Sequence, residues 1–279
     1  MKKVSHEIDL VYALKDGAIT HSSQVESGLI CGCICPACGE RLVAKKGSKV
    51  RHHFAHYSVT SCEYCYETML HYMAKDILSK EKKMTIPAVY VVFQSYKDGE
   101  LISEAKQVTI ESVELEKRCG DIIPDIVVHT GGRIFFVEIF VTHKIDGEKL
   151  GKIKKAGIST IEIDLSGQSE SISEEELKEL LVNDHAEKQW KYNRVSEEYY
   201  NKFASLADRK KKVGWVDSRV YNCPINSRIW RGMSYADYAA DCMNCSYCIS
   251  GGETVLCTGR KKIETISDLK NYLNKNKLK

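Results

Sequence analysis

At 279 residues, with 43% hydrophobic and 28% charged side chains, the chain has the composition of a folded globular protein and room for more than one module. A formal net charge of +3 is too small to signal a polyanionic partner by itself. No run approaches the ~18 apolar residues that cross a bilayer, and the start, Met1 to Asp9, turns charged before a signal-type apolar region forms. No membrane association is expected, and a cytoplasmic location is.

Taken in chain order, residues 1–30 predict a hairpin of Ile8–Leu14 and a strand from Ile19, turning at Asp16-Gly17. The twelve cysteines then begin to matter. All but Cys119 fall within residues 31–65 and 223–257, and in a reducing compartment such clusters read as zinc ligands rather than disulfides. Cys35-Pro36-Ala37-Cys38 is followed, after fourteen residues, by His53-Phe54-Ala55-His56. Cys35, Cys38, His53 and His56 make a four-ligand set for a first structural zinc, with Cys31, Cys33 and His52 as substitutes for one ligand.

Residues 63–81 predict a helix with Met69, Tyr72, Met73 and Ile77 at helical spacing. On it, Glu67, His71 and Lys75 recur every four residues and share one face. Ile86–Gln94 and Gln107–Leu115 are strand-like, and Ile122–His129 and Ile134–Val141 form a hairpin through Thr130-Gly131-Gly132. A Lys-rich helix over 145–156 and a strand over Ile158–Leu165 follow, a crossover that sets the last strand parallel to the Glu138 strand. Residues 173–212 read as helical, opened by a Ser173/Glu176 capping box, with Tyr192, Val195, Tyr199, Phe203 and Leu206 as an apolar stripe.

The second cysteine set is Cys242, Cys245, Cys248 and Cys257, with Cys223-Pro224 upstream. Cys223, Cys242, Cys245 and Cys257 are the preferred ligands of a second structural zinc, with Cys248 as the alternative; an iron–sulfur cluster accepts four thiolates too. Basic runs stand at Arg41–Arg51, Lys149–Lys155 and Arg209–Lys212. Each is either a solvated surface or a contact to nucleic acid.

Two carboxylates carry the strongest functional signal. Asp125 opens the apolar run Ile126-Val127-Val128, and Glu138 sits inside Ile134–Val141. A carboxylate in such a run is costly unless paired or holding a metal. With Glu67 from the helix, the three would hold Mg²⁺ or Mn²⁺, hard cations that polarise phosphate oxygens and lower the pKa of a bound water.

The order Glu67, Pro124-Asp125 and Glu138 in a Val-Glu-Ile strand resembles the PD-(D/E)xK, restriction-endonuclease-like nuclease superfamily. More closely, Cys35–Leu42, Arg51–His56, the Glu-x3-His-x3-Lys of 67–75 and Val137–His143 are similar to competence protein CoiA-like proteins. The resemblance spans about residues 31–168. It implies a restriction-endonuclease-like αβββαβ core fused to an N-terminal zinc finger; with the C-terminal Cys-rich zinc module read from the cysteine spacing, the expected fold is mixed α/β (α+β). It also implies DNA as substrate, in uptake, processing or defence. The corresponding segments are 1–62 (hairpin and finger), 63–168 (core), 169–213 (helical connector) and 214–279 (zinc module and basic tail). The pattern is broken at Phe140, where the superfamily has lysine. Lys149, then Lys144, are the candidate replacements, with His143 and His71 as proton-transfer candidates. A catalytically inactive DNA-binding or adaptor protein is the competing reading, and a zinc-ribbon interaction module a third. The residues leave strand type, oligomeric state and any protein partner open.

Overall fold

A computed structural model of the chain describes residues 10–49, 51–58, 62, 64–93, 99–168, 172–214 and 218–277. The charged start with Ile8, Gln94 at the end of one expected strand, residues 169–171 of the expected connector and the last two residues of the basic tail lie outside the described residues. The chain divides into two units: residues 1–87 with 105–192, and residues 88–104 with 193–279. This division cuts across the 63–168 and 169–213 segments expected from sequence.

In the first unit, Tyr12–Lys15 (β1) and Ala18–His21 (β2) form the expected hairpin. Its turn residues Asp16 and Gly17 both have positive φ, a conformation that glycine and aspartate tolerate. Leu42–Lys45 (β3) and His53–His56 (β4) make a second antiparallel pair. Helix Cys65–Glu81 (α1) buries Met69, Leu70, Met73, Ile77 and Leu78 along one face. Lys83–Ile86 (β5) ends before Pro87, so the strand expected over Ile86–Gln94 is broken there. Val89–Val91 (β6) and Glu100–Ser103 (β7) form a hairpin that belongs to the second unit. Lys106–Thr109 (β8) returns to pair with β5.

The sheet that positions the carboxylates follows. Ser112–Leu115 (β9), Ile126–Thr130 (β10) and Arg133–Phe140 (β11) are successive antiparallel neighbours. Helix Gly147–Ala156 (α2) is capped by the Asp146 side chain and leads to Thr160–Asp164 (β12), parallel to β11. Glu174–Lys178 (α3) opens with the expected Ser173/Glu176 capping box and runs into a π-helical turn, Glu179–Asn183. Lys188–Tyr192 (β13) closes the sheet beside β12. Alternation along β11 puts Phe135, Val137 and Ile139 in the core cluster that includes α1 residues, and Phe136 in a second cluster with Ile153 of α2. The sheet therefore lies between the two helices.

In the second unit, Arg194–Leu206 (α4) is capped by Asn193, whose side chain accepts from the Val195 and Ser196 amides. Asp208–Val213 (β14), Arg219–Tyr221 (β15), Arg228–Trp230 (β16), Met233–Asp237 (β17), Cys248–Gly251 (β18) and Thr254–Cys257 (β19) make a six-stranded sheet ordered β16-β17-β15-β14-β19-β18. Ile266–Lys277 (α5) ends the unit. The β6–β7 segment joins it because Val91 and Phe93 pack with Phe203, Ile249, Ile263 and Leu269.

The continuous helix expected over 173–212 is not formed. Only 194–206 combines an apolar stripe with an N-cap, so α4 is short. Residues 188–192 pair with β12 instead, and Arg209–Lys212 alternate between exposed and half-buried positions in a central strand. Tyr192 accordingly leaves the expected stripe for the cluster around Phe136, and Val195 is exposed.

Candidate metal and catalytic sites

In the first cysteine cluster Cys35, Cys38, His56 and Cys62 bring one ligand atom each within 4.8 Å of all the others. Cys38 Sγ lies 3.4 Å from His56 Nε2. The Ala37 and Cys38 amides point at Cys35 Sγ, the arrangement that stabilises a thiolate, while burial pushes the Cys35 thiol up to about 12. A divalent cation reverses that penalty by replacing the thiol protons. The set could bind zinc in the Cys₃His manner. It corrects the expected ligand set in one member. His53 and His56 are three apart in β4, and strand alternation sends them to opposite faces. His53 Nδ1 meets the Arg51 carbonyl at 2.9 Å, and Cys62 takes its place in the cluster. Cys31 and Cys33 are buried outside it, with Cys31 Sγ donating to the Leu42 carbonyl.

The five C-terminal thiols, Cys223, Cys242, Cys245, Cys248 and Cys257, line one cavity with Pro224 and Val255. The Tyr247 and Cys248 amides point at Cys245 Sγ and the Gly259 amide at Cys257 Sγ. Burial pushes Cys242 and Cys248 up to about 12. Among the described residues these thiols do not reach the mutual 4.8 Å spacing of the first cluster. Gly259 is held by close packing, since a Cβ there would stand 2.7 Å from Pro224 and 3.4 Å from Cys257 Sγ.

Asp125 and Glu138 are brought together at the start of β10 and in β11. Glu138 has a side chain only 6% exposed, and its Oε2 accepts from Lys149 Nζ of α2 at 2.6 Å. Burial first, then the charge of Asp125, push the Glu138 carboxyl up to about 8 against the pull of Lys149. Its other oxygen, Oε1, is buried with no hydrogen-bond partner. Asp125 Oδ2 accepts from the Ile139 amide at 2.7 Å and lies 3.6 Å from His71 Nε2, itself buried without a hydrogen-bond partner.

Glu67 does not join this pair within the spacing that defines the cysteine cluster. It projects from α1, in the layer opposite α2, and its Oε2 accepts from Thr142 Oγ1 at 2.7 Å just beyond β11. Thr142 Oγ1 also lies 2.7 Å from His143 Nδ1. Because the hydroxyl has one proton and gives it to Glu67, the second contact needs a proton on Nδ1, which leaves Nε2 of a neutral His143 as the acceptor. Phe140 is half-buried, with Lys144 Nζ over its ring at 4.9 Å, so Lys144 is drawn to the ring.

Beyond Cys62, the structure adds one buried carboxylate to those expected. Glu162 stands directly beside Glu138 across β11–β12 and is 4% exposed, paired with Lys191 Nζ at 2.7 Å. Like Glu138, Glu162 is a carboxylate inside an apolar strand, Thr160-Ile161-Glu162-Ile163, and the same sequence signal marks it. The basic runs also look different in place. Lys46 donates to the Val25 and Ser23 carbonyls, and Lys152 pairs with Glu148 at 2.6 Å, so part of each run is committed internally.

Against this geometry, residues 30–65 match the family model described as the competence protein CoiA N-terminal domain. The matched segment contains all four residues of the Cys₃His cluster and none of the carboxylates. Nothing matches among curated proteins or among solved structures. No helix among the described residues is long and apolar enough to cross a membrane.

Proposed function

We propose that this protein is a Mg²⁺- or Mn²⁺-dependent deoxyribonuclease that hydrolyses phosphodiester bonds during DNA uptake, processing or defence against foreign DNA. The observation that carries the reading is the buried Glu138 beside a half-buried Asp125 and facing Lys149, with Glu138 Oε1 left unpartnered. Once Glu138 is ionised that oxygen has no donor and faces the Asp125 carboxylate, a cost that a hard cation offsets. Asp125 and Glu138 would hold that cation, with Glu67 joining by a side-chain rotation away from Thr142. When bound, the ion neutralises charge and polarises a phosphate oxygen.

The remaining chemistry belongs to the chain. Lys149 takes the part of the lysine that Phe140 displaces, reaching from α2 to the carboxylate that the motif lysine would have neighboured. His143, with Nδ1 2.7 Å from Thr142 Oγ1, is the group placed to accept a proton from the attacking water. The Ile139 amide orients Asp125, and His71 stands 3.6 Å behind it. The order α1, β9, β10, β11, α2, β12, with β12 parallel to β11, supports a PD-(D/E)xK-type core, although β5 to β8 intervene between α1 and β9. Zinc at both cysteine clusters would be structural, since four protein ligands leave no position for substrate.

A second reading, a DNA-binding adaptor without cleavage, is favoured by Phe140. The deciding assay incubates the protein with linear and circular DNA, single- and double-stranded, and Mg²⁺ or Mn²⁺. Cleavage lost in Asp125→Asn and Glu138→Gln supports the nuclease. Cleavage that persists in both variants removes the site assignment, and DNA binding with no cutting under either metal selects the adaptor.

A further inference from the structure

The six-stranded sheet of the second unit has two unlike faces. One buries Val220, Ala236 and Val255 against the cysteine cavity. The other follows from register. Val213 pairs with Arg219, so Arg209, Lys211, Val213, Arg219 and Tyr221 project together. Tyr221 pairs with Tyr235, which places Tyr235 and Met233 on this face, with Trp230 opposite Met233. Arg209, Lys211, Val213 and Tyr221 of this face line one open groove that also takes in Asn222, Arg260 and the β14 residues Asp208 and Lys210, and the Arg219 guanidinium lies over the Tyr235 ring at 5.6 Å.

Beyond the groove the β16–β17 hairpin carries Trp230 45% exposed, flanked by Ile229 at 67% and Met233 at 49%. Arg231 stacks on the Trp230 ring at 4.7 Å. An exposed tryptophan beside two other apolar side chains is costly in water unless something covers it. The nearby charge says what. Arg209 and Lys211 are exposed without a carboxylate partner among the described residues, while Arg260 is paired with Asp208 and Arg228 with Asp241.

We infer that this face binds single-stranded DNA, its phosphates along Arg209 and Lys211 and its bases stacked on Tyr221, Tyr235 and Trp230. Cations alternating with aromatic rings on one open surface suit a strand whose bases are free to stack. A duplex offers phosphates but no exposed base faces, and an acidic peptide offers no rings. Three strand steps separate β14 from β16, about 14 Å at the usual strand spacing, enough for several nucleotides. The inference is independent of cleavage, because every residue in it lies in the second unit and none belongs to the Asp125–Glu138 site.

The test is fluorescence anisotropy with the full-length Glu138→Gln protein, zinc retained and no Mg²⁺ added, against a labelled twenty-nucleotide oligo-dT. A duplex of the same length and polyglutamate serve as competitors. Trp230→Ala is expected to weaken oligo-dT binding about tenfold, within the range for loss of one stacked base, and Trp230→Phe to restore most of it. Arg209→Ala with Lys211→Ala should flatten the plot of log K against log salt by about 1.4, two charges at ~0.7 each for a single strand. Zinc content and circular dichroism of each variant check that the sheet is intact. Equal oligo-dT binding by the Glu138→Gln protein with and without Trp230→Ala overturns the inference. So does stronger competition by duplex or polyglutamate than by unlabelled oligo-dT.

Discussion

Replacing Glu138 by Gln should make the metal-free protein more stable near neutral pH while removing its response to Mg²⁺. Burial and Asp125 raise the Glu138 carboxyl from 4.5 to about 8, so the folded protein holds a proton there that the unfolded chain releases. With more protons bound in the folded state, stability falls as pH rises. The loss begins near 4.5 and is complete as pH passes the folded value near 8. Each pH unit inside that window is worth about 1.4 kcal/mol, so one such carboxyl removes roughly 3 kcal/mol between pH 4.5 and 7. Gln keeps the shape and never ionises. Urea unfolding of both proteins at pH 5, 6 and 7, without chelator so that zinc stays in place, gives the difference directly, and other titrating groups cancel in it. Glu138→Gln is expected to gain on wild type by a kcal/mol or more per unit. Adding Mg²⁺ at pH 7 should close the gap by stabilising wild type alone. A gap that does not grow with pH, or equal Mg²⁺ stabilisation of both, would refute the account of this carboxylate.

Three further outcomes follow from other parts of the molecule. Cys62→Ser should lower bound zinc by about one equivalent in elemental analysis, whereas His53→Ala leaves zinc content unchanged; the opposite result restores the His₂Cys₂ set. Lys188 is 5% exposed and donates to the Thr85, Leu181 and Asp184 carbonyls at 2.7–2.8 Å. Burial lowers its ammonium to about 7, but three acceptors match the three N–H bonds of the charged form. Lys188→Met should therefore cost about 2–4 kcal/mol in chemical denaturation by leaving buried carbonyls unpaired, and a cost under ~0.5 kcal/mol counts against the network. Gly259→Ala should overpack Pro224 and disturb Cys257, read as weaker zinc retention against a chromogenic chelator, while Gly252→Ala, with open space around its Cβ position, should retain zinc as wild type does.

Local chemistry made much of this protein legible from residues alone. The Asp16-Gly17 hairpin, the α1 stripe, the α2 crossover, the Ser173/Glu176 capping box, and the Asp125 and Glu138 positions all depend on neighbours within a few residues, where spacing maps directly onto geometry. The crossover even carried the parallel β11–β12 pairing, because its handedness and length leave few alternatives. What tertiary structure decided were choices between groups of equal local merit. His53 and Cys62 are both plausible ligands by spacing, and strand alternation in β4 chose between them. Residues 188–192 and 208–213 carry mixed signals; pairing with β12 made the first the edge strand β13, and pairing with both β15 and β19 made the second the central strand β14. Glu67 lies on the expected helix face, yet the layer order of helix, sheet and helix left it bonded to Thr142 rather than beside Glu138. Sequence sets the donors and their reach; only the packed sheet determines which of them face the same space.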